Sequence, residues 1–139
     1  MEKKIVWKQE LKGRPTTAQR LRNGNTVVCL QFARKVVEID PNGKEVWKIE
    51  GLKRPHTAQR LENGNTLVCE MDPGGRVVEF NPRGQVVWEK KDELPKPAQA
   101  QRMSNGQTIV SIASGLVVLD RDGKIVRKLS MSRSRFFAF

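Results

Sequence analysis

The 139-residue sequence contains no tyrosine, one histidine and two cysteines. There is no Cys-x-x-Cys pair and His56 is distant from both cysteines, so we expect no metal site. No segment approaches the roughly 18 consecutive apolar residues of a membrane helix, so we expect no membrane span. The first residues also lack the apolar stretch of a signal peptide, and on that basis we expect a cytoplasmic protein.

Acidic residues are also scarce relative to basic ones. The chain has 26 Lys and Arg against 15 Asp and Glu, a formal net charge of +11. Such a charge attracts polyanions, but here the cations are dispersed, and only residues 127–135 concentrate them without acids. Lysines also protect exposed strand edges. Polyanion binding is therefore an alternative function, and with so few aromatic residues to stack bases we do not expect nucleic acid as the partner.

Internal repetition is the strongest pattern present. The thirteen residues from Thr17, Thr-Ala-Gln-Arg-Leu-Arg-Asn-Gly-Asn-Thr-Val-Val-Cys, recur almost unchanged from Thr57, an offset of 57 − 17 = 40. A third copy begins at Gln99, offset by 99 − 57 = 42. A period of about 40 residues is typical of β-propeller blades.

A second landmark in each repeat is a turn followed by a tryptophan. Asp-Pro-Asn-Gly at 40–43 precedes Trp47, and Asn-Pro-Arg-Gly at 81–84 precedes Trp88. In the third repeat the turn is Asp-Arg-Asp-Gly and Arg127 replaces the tryptophan. Trp7 fits the same frame without the turn.

Turn chemistry and β-branched runs predict four short strands per repeat. Asn-Gly pairs tolerate positive φ and suit a tight hairpin, while runs such as Thr66-Leu-Val-Cys69 suit a strand covered on both faces. In the second repeat we place strands at about 56–62, 66–72, 76–81 and 86–91. The sequence therefore predicts an all-β fold of three four-stranded antiparallel propeller blades.

We assign residues 1–130 to one domain, with repeats at about 11–50, 51–91 and 92–130. Residues 4–10 are expected to form the outermost strand of a missing preceding blade, and 131–139 form a non-repeat tail. Three blades leave two apolar faces bare. We expect a homodimer that closes a six-bladed ring, with 4–10 exchanged between copies as one option, or else further blades supplied by a longer chain or by a different partner.

The two cysteines occupy equivalent places in neighbouring repeats. Packed sheets lie about 10 Å apart, whereas a disulfide needs Cα atoms within about 7 Å. Cys29 and Cys69 are therefore predicted to be buried free thiols.

The pattern Gln-Arg-Leu-x-Asn-Gly-Asn-Thr-Leu-Val, followed by Val-Val-Glu-Phe-Asn-x-x-Gly-x-Val-Val-Trp, resembles the repeats of PQQ-binding-like propellers and of bacterial arylsulfotransferases. The likeness covers roughly residues 4 to 130 and implies blades in which each tryptophan stacks between neighbours. The calcium ligands and further motifs of quinoprotein dehydrogenases cannot be placed, so we expect no cofactor. Arylsulfotransferase-like enzymes use several histidines, whereas this chain offers only His56.

The candidate site residues repeat on the predicted innermost strand or interrupt that repeat. Arginine there offers bidentate donors to an anion near the central channel. The alternative is that each arginine packs along its stem and pairs with a nearby carboxylate. His56 replaces the Thr and Ala of the other repeats and is the weak candidate for a catalytic role. The predicted ligand-binding residues are Arg20, Arg60, Arg102, His56 and Gln59.

Taken together, the residues favour a non-enzymatic binding or scaffolding module that assembles into a closed propeller. The first alternative is a fragment or relative of an arylsulfotransferase-like enzyme that uses His56. The second is polyanion binding, with an anionic ligand attracted by net charge.

Overall fold

The computed structural model describes residues 4–72 and 74–130, which form twelve strands in three sheets. Each sheet has four antiparallel strands in sequential order, β1-β2-β3-β4, β5-β6-β7-β8 and β9-β10-β11-β12, and we call these blades 1, 2 and 3. The strands are β1 Pro15–Arg20, β2 Thr26–Leu30, β3 Lys35–Ile39, β4 Glu45–Ile49, β5 Pro55–Arg60, β6 Thr66–Glu70, β7 Arg76–Phe80, β8 Val86–Lys90, β9 Gln99–Arg102, β10 Thr108–Ile112, β11 Gly115–Leu119 and β12 Ile125–Ser130.

The hairpins within each blade are closed by the predicted turns. Between β1 and β2, Gly24 has a φ of 91°, and its N–H donates to the Leu21 carbonyl at 3.0 Å. Between β3 and β4, one Asp40 carboxylate oxygen accepts the N–H groups of Asn42 and Lys44, each at 2.9 Å. Both turns need a residue with positive φ, and glycine adopts it without a Cβ clash.

Burial along the middle strands depends on whether both faces of the blade are covered. Every residue of β2 and β6 is buried, because blades 1 and 2 are covered on both faces. Strand β10 alternates between buried and half-buried residues, since the side chains of Ile109 and Ser111 point to a face with no blade against it. Among residues 4–72 and 74–130, the third blade is therefore the end of the stack.

Two apolar clusters hold the blades together. Between blades 1 and 2, Val27, Cys29 and Val36 pack with residues of the next blade such as Val68 and Val78. The cluster between blades 2 and 3 repeats this arrangement and contains Leu67, Cys69, Val77, Val110, Ile112, Val117 and Leu119. Each Val or Leu buried in this way contributes about 1.5–3 kcal/mol, so stability depends on neighbours in contact.

The outer face of blade 1 is covered by the segment that precedes it. Trp7 and Leu11 pack over a cluster formed by Val28, Leu30, Val37 and Ile39. Residues 4–10 were expected to form a strand, but they belong to none of the three sheets. The strand that would pair with them belongs to a preceding blade, which the described residues do not include.

The predicted fold class is confirmed: the described residues form three four-stranded antiparallel blades. The strands of the second repeat begin or end within two residues of the predicted bounds. Cys29 and Cys69 are buried free thiols, as predicted, and burial raises the pKa of Cys69 to about 12. The non-repeat tail assigned to 131–139 lies outside the described residues.

Candidate functional site at the inner strands and blade seams

The inner strands β1, β5 and β9 line an open groove of about 570 Å³. Because successive side chains on a strand point to opposite faces, the Ala-Gln-Arg stretch of each inner strand turns its Gln into this groove and its Arg away from it. The groove is lined by Thr17, Ala18, Gln19, Thr57, Ala58, Gln59, Gln99, Ala100, Gln101, Ile109, Ser111 and Leu116. We call it the inner groove.

Two glutamines of the inner groove, Gln19 and Gln59, each join their blade to the next one. The Gln19 amide accepts the Arg60 backbone N–H at 2.7 Å and donates to the Arg60 carbonyl at 3.3 Å. Gln59 makes the same pair of bonds to the backbone of Arg102, at 2.8 and 3.3 Å. Gln101 is exposed, because no blade follows blade 3 among the described residues. The amide of Gln101 is thus a ready donor and acceptor for the edge of another strand.

The arginines lie between blades. The guanidinium of Arg60 donates to Glu38 of blade 1 at 2.9 Å and to the Thr66 hydroxyl of its own blade at 3.0 Å. It also stacks over the Trp47 ring, 4.7 Å from the centroid. The indole N–H of Trp47 in turn donates to the Pro82 carbonyl of blade 2 at 2.9 Å. We call this set of contacts a seam.

The seam between blades 2 and 3 repeats the first one. Arg102 donates to Glu79 at 3.0 Å and to the Thr108 hydroxyl at 2.9 Å. Its guanidinium stacks over the Trp88 ring at 5.1 Å. Arg20 stacks over Trp7 at 5.0 Å, and within residues 4–72 and 74–130 it has no carboxylate partner.

The structure therefore moves the predicted arginine site away from the central channel. Arg20, Arg60 and Arg102 do not line the inner groove, because the alternation of the strand directs them into the seams. For Arg60 and Arg102 the alternative of a paired carboxylate describes what is observed. Gln59, Arg60 and Arg102 do meet at a separate groove of about 550 Å³ at the turn end of blades 2 and 3. Ligand binding by these residues stays a prediction.

His56 lies near the start of β5 and is half-buried. Its carbonyl accepts the Thr16 hydroxyl at 2.7 Å, a contact between the inner strands of blades 1 and 2. Its ring atom Nδ1 is buried and has no hydrogen-bond partner in the described part of the chain. His56 is not among the residues that line the inner groove, and its predicted catalytic role stays a prediction.

The sequence analysis did not identify the acidic half of each seam. Glu38 and Glu79 are almost fully buried, and each accepts a second bond from an asparagine, Asn25 or Asn65, at 2.7 Å. These carboxylates recur at an offset of 79 − 38 = 41. The recurrence of a carboxylate inside an otherwise apolar strand was the sequence pattern that could have identified these partners of the arginines.

Blade 3 carries a different set of side chains on the face that its neighbour would occupy. The strand register places Val118 where blades 1 and 2 have Glu38 and Glu79. Arg127 lies opposite Val118, in the place that Trp47 and Trp88 take in the other blades. This surface, which we call the open face, is made up of Ile109, Ser111, Leu116, Val118, Arg127 and Leu129.

Over residues 2–134 the chain matches the model of the protein family described as outer membrane protein assembly factor BamB. The chain belongs to this family. The blade construction implied by the PQQ-like part of the resemblance agrees with that match, while the arylsulfotransferase part stays a prediction. No curated protein sequence matches the chain.

Solved structures agree on the fold. A protein of unknown function from Bacteroides caccae has a TM-score of 0.68 and 23% identity, with 82% of this chain and 48% of that chain covered. For the WD40 β-propeller domain of Doa1 the TM-score is 0.64, the identity 20%, and the coverage 87% and 38%. For BamB from Moraxella catarrhalis these values are 0.54, 20%, 86% and 34%. The chain thus spans less than half the length of each.

The expected cytoplasmic location is wrong for a member of this family. The description of the family concerns the outer membrane, which is not a cytoplasmic location. The expectation depended on the absence of a signal-like segment, which does not determine where a family member works. Within the described ranges, no helix is long and apolar enough to cross a membrane.

Proposed function

We propose that the chain is a non-enzymatic, protein-binding scaffold module of the BamB-like family, and that it completes its propeller by accepting another blade on the open face. The observation that carries this proposal is the contrast between faces. The equivalent faces of blades 1 and 2 are sealed by a neighbour, whereas Leu116 and Leu129 of blade 3 are exposed. An apolar sheet face of this kind is a protein-interaction surface.

We further propose that the partner on the open face is a second copy of this chain. Blade 1 of the second copy would bring its inner strand against Gln101. The exposed amide of Gln101 would then bond the backbone of Arg20, as the Gln59 amide bonds the backbone of Arg102. Two copies would then form a six-bladed ring. The apolar residues Ile109, Leu116 and Leu129 of the open face would be buried in the same step.

Strand exchange removes an electrostatic conflict from this arrangement. A docked blade 1 brings the Arg20 guanidinium to the place where Arg127 of blade 3 already lies, and like charges repel. Lys-Ile-Val-Trp at 4–7 matches Lys-Ile-Val-Arg at 124–127. If 4–10 of the second copy replaces β12, Trp7 takes the place of Arg127 beneath Arg20, the stacking partner that Arg20 already has.

The exposure of the segment supports the same exchange. Ile5 is 82% and Val6 is 94% exposed, so the segment leaves two apolar side chains in solvent. Trp7 nevertheless lies over blade 1, with its indole N–H donating to the Pro41 carbonyl at 2.8 Å. That bond matches the one from Trp47 to Pro82, 2.9 Å long. Residues 4–10 are therefore held along the position of a neighbouring blade's outer strand.

The test is the mass in solution, measured by light scattering, followed by a directed disulfide. Two chains are prepared with Cys29 and Cys69 replaced by serine, one carrying Gln9→Cys and the other Leu116→Cys. Leu116 pairs with Leu129 in β12, and Gln9 aligns with Leu129, so exchange brings the new thiols together only between copies. In the control mixture the first chain carries Lys12→Cys instead of Gln9→Cys, and the second chain again carries Leu116→Cys.

We expect a dimer mass and an oxidised heterodimer from the Gln9→Cys mixture alone. A dimer mass without that disulfide would support a second copy but reject the exchange. A strictly monomeric wild-type chain would reject self-assembly altogether.

A further inference from the structure

A second surface lies at the opposite end of the blades from the Asn-Gly turns, and it does not involve the open face. An open groove of about 520 Å³ runs between blades 1 and 2. It is lined by Gln31, Phe32, Arg34, Lys53, Arg54 and Asp72. We call it the Phe32 groove. From its geometry and charge we infer that it binds an acidic peptide segment that carries an aromatic or apolar side chain.

Phe32 is the apolar anchor of this groove. The side chain is 65% exposed, and Arg14 stacks over its ring at 4.9 Å from the centroid. The equivalent position in the second repeat is Asp72, so the phenylalanine is not required to build the loop. An exposed aromatic ring that interrupts a repeat is available to a partner, and aromatic anchors are enriched in protein interfaces.

The loop that presents Phe32 is held firmly. The backbone N–H of Phe32 donates to the Gly13 carbonyl at 2.8 Å, and the backbone N–H of Gln31 donates to the Arg14 carbonyl at 3.0 Å. A Cβ at Gly13 would lie 2.4 Å from that of Ala33, so the two loops are in direct contact. A prearranged loop loses little conformational entropy when a ligand binds.

The charge around Phe32 is predominantly positive. The side chains around it include the cations Arg14, Arg34, Lys53 and Arg54, and of the described residues Asp72 is the one acid that lines the groove. The ion pair of Arg54 with Asp72 is long, at 3.6 Å, and more than half exposed on both sides. Such a pair contributes little and can exchange its partner for a ligand carboxylate.

Arg34 is the best-positioned cation of the groove. Its Nε donates to the Leu52 carbonyl at 2.8 Å, and its own carbonyl accepts the Leu52 N–H at 3.0 Å. Within residues 4–72 and 74–130 neither Arg34 nor Lys53 has a carboxylate within salt-bridge distance. A peptide with carboxylates on both sides of an aromatic residue would thus meet Phe32 and cations at once.

Peptide is favoured over nucleic acid by the composition of the groove. Asp72 at its edge repels a phosphate backbone, and a single exposed ring is a poor platform for successive bases. This inference rests on the proposed protein-binding function, but the Phe32 groove is contained within blades 1 and 2. It therefore does not depend on ring closure.

The test is fluorescence anisotropy with a labelled peptide, Gly-Asp-Phe-Asp-Glu-Gly, titrated with the full chain. Arg54→Gly removes one cation at a φ of 54°, which glycine adopts readily. Lys96→Gly is the matched control, because Lys96 precedes Pro97 as Arg54 precedes Pro55 and has a φ of 49° outside the groove. Phe32→Asp introduces the residue that the second repeat carries.

We expect Phe32→Asp to weaken binding by about ten-fold or more, since the buried apolar contact is lost. Arg54→Gly should weaken it by about two- to five-fold, the range of an exposed charge pair, and Lys96→Gly should not. Equal binding of a peptide with Lys in place of its acids, or no effect of Phe32→Asp, would overturn the inference. So would a single-stranded oligonucleotide that competes with equal affinity. Light scattering of the same samples reports self-assembly separately, so a monomer that binds the peptide rejects only the ring.

Discussion

Replacing Glu38 by valine, which the third repeat carries as Val118, removes the carboxylate that joins blades 1 and 2. The side chains of Glu38 and Arg60 are 10% and 18% exposed. Without Glu38, the Arg60 guanidinium keeps only Thr66 and Trp47, and the Asn25 amide loses its acceptor. Breaking a fully buried pair costs about 3–5 kcal/mol, and partial exposure lowers this to about 2–3 kcal/mol for Glu38→Val.

A double-mutant cycle separates the interaction from the substitution. Arg60→Met removes the charge and keeps an unbranched apolar stem in the seam. We expect the pair Glu38→Val and Arg60→Met to be less destabilised than the sum of the single changes by about 1–2 kcal/mol, because neither charge is then left unpaired. Urea unfolding followed by tryptophan fluorescence gives each free energy of unfolding.

Val118→Glu is the matched control. The register places it at the equivalent position, opposite Arg127, and within the described residues no arginine of a following blade faces it. A partly exposed pair with Arg127 contributes little, so for the monomeric chain we expect a change within about 0.5 kcal/mol. Additive effects in the cycle would refute the seam as a source of stability. So would a substitution elsewhere in β3 that breaks no seam contact but lowers the free energy of unfolding as much as Glu38→Val does.

Three further measurements test other parts of the structure. Gly13→Ala should lower the midpoint of urea unfolding more than Gly51→Ala, because both have positive φ but only at Gly13 does the new Cβ meet another atom, 2.4 Å away. Cys69 should react with a thiol reagent at pH 8 only after unfolding, because burial raises its pKa to about 12 in the folded chain. The hydrogen bond from Arg76 lowers the pKa of Glu89, so its stabilising contribution should be present above the unfolded-state pKa and be lost as the pH falls through the lower folded value. Glu89→Gln should reduce that acid dependence of the unfolding midpoint, and an unchanged pH profile would contradict it.

The blades could be predicted because their information is local. Asn-Gly and Asp-Pro-Asn-Gly fix turns within four residues, and the runs from Thr26 and Thr66 are β-branched and apolar over the length of a strand. Repetition then assembles the fold, because the same unit must bury the same face each time. The boundaries of the strands differ by one or two residues, since hairpin ends depend on pairing rather than on composition.

The direction of the inner side chains could not be predicted in the same way. Gln59 and Arg60 are neighbours on one strand, so one must face the groove and the other the seam. Which of them faces the groove depends on the packing of the adjacent blade, and the polarity of both residues fits either place. The Phe32 groove was missed for a similar reason: its residues come from three separate segments, 31–34, 53–54 and 72.

Comparing blade 3 with the other two blades shows which contacts determine what can pack against each blade. Each sealed interface combines a glutamine that bonds the next inner strand, a tryptophan that reaches the next turn and a carboxylate that accepts the next arginine. Blade 3 keeps the glutamine as Gln101 but has Arg127 and Val118 in the other two places. Because an incoming arginine would meet a cation and no acid there, an unmodified copy of blade 1 or blade 2 docks poorly on this face. A partner that brings its own tryptophan strand, as residues 4–10 do, satisfies the incoming arginine and replaces the repelling one at the same time.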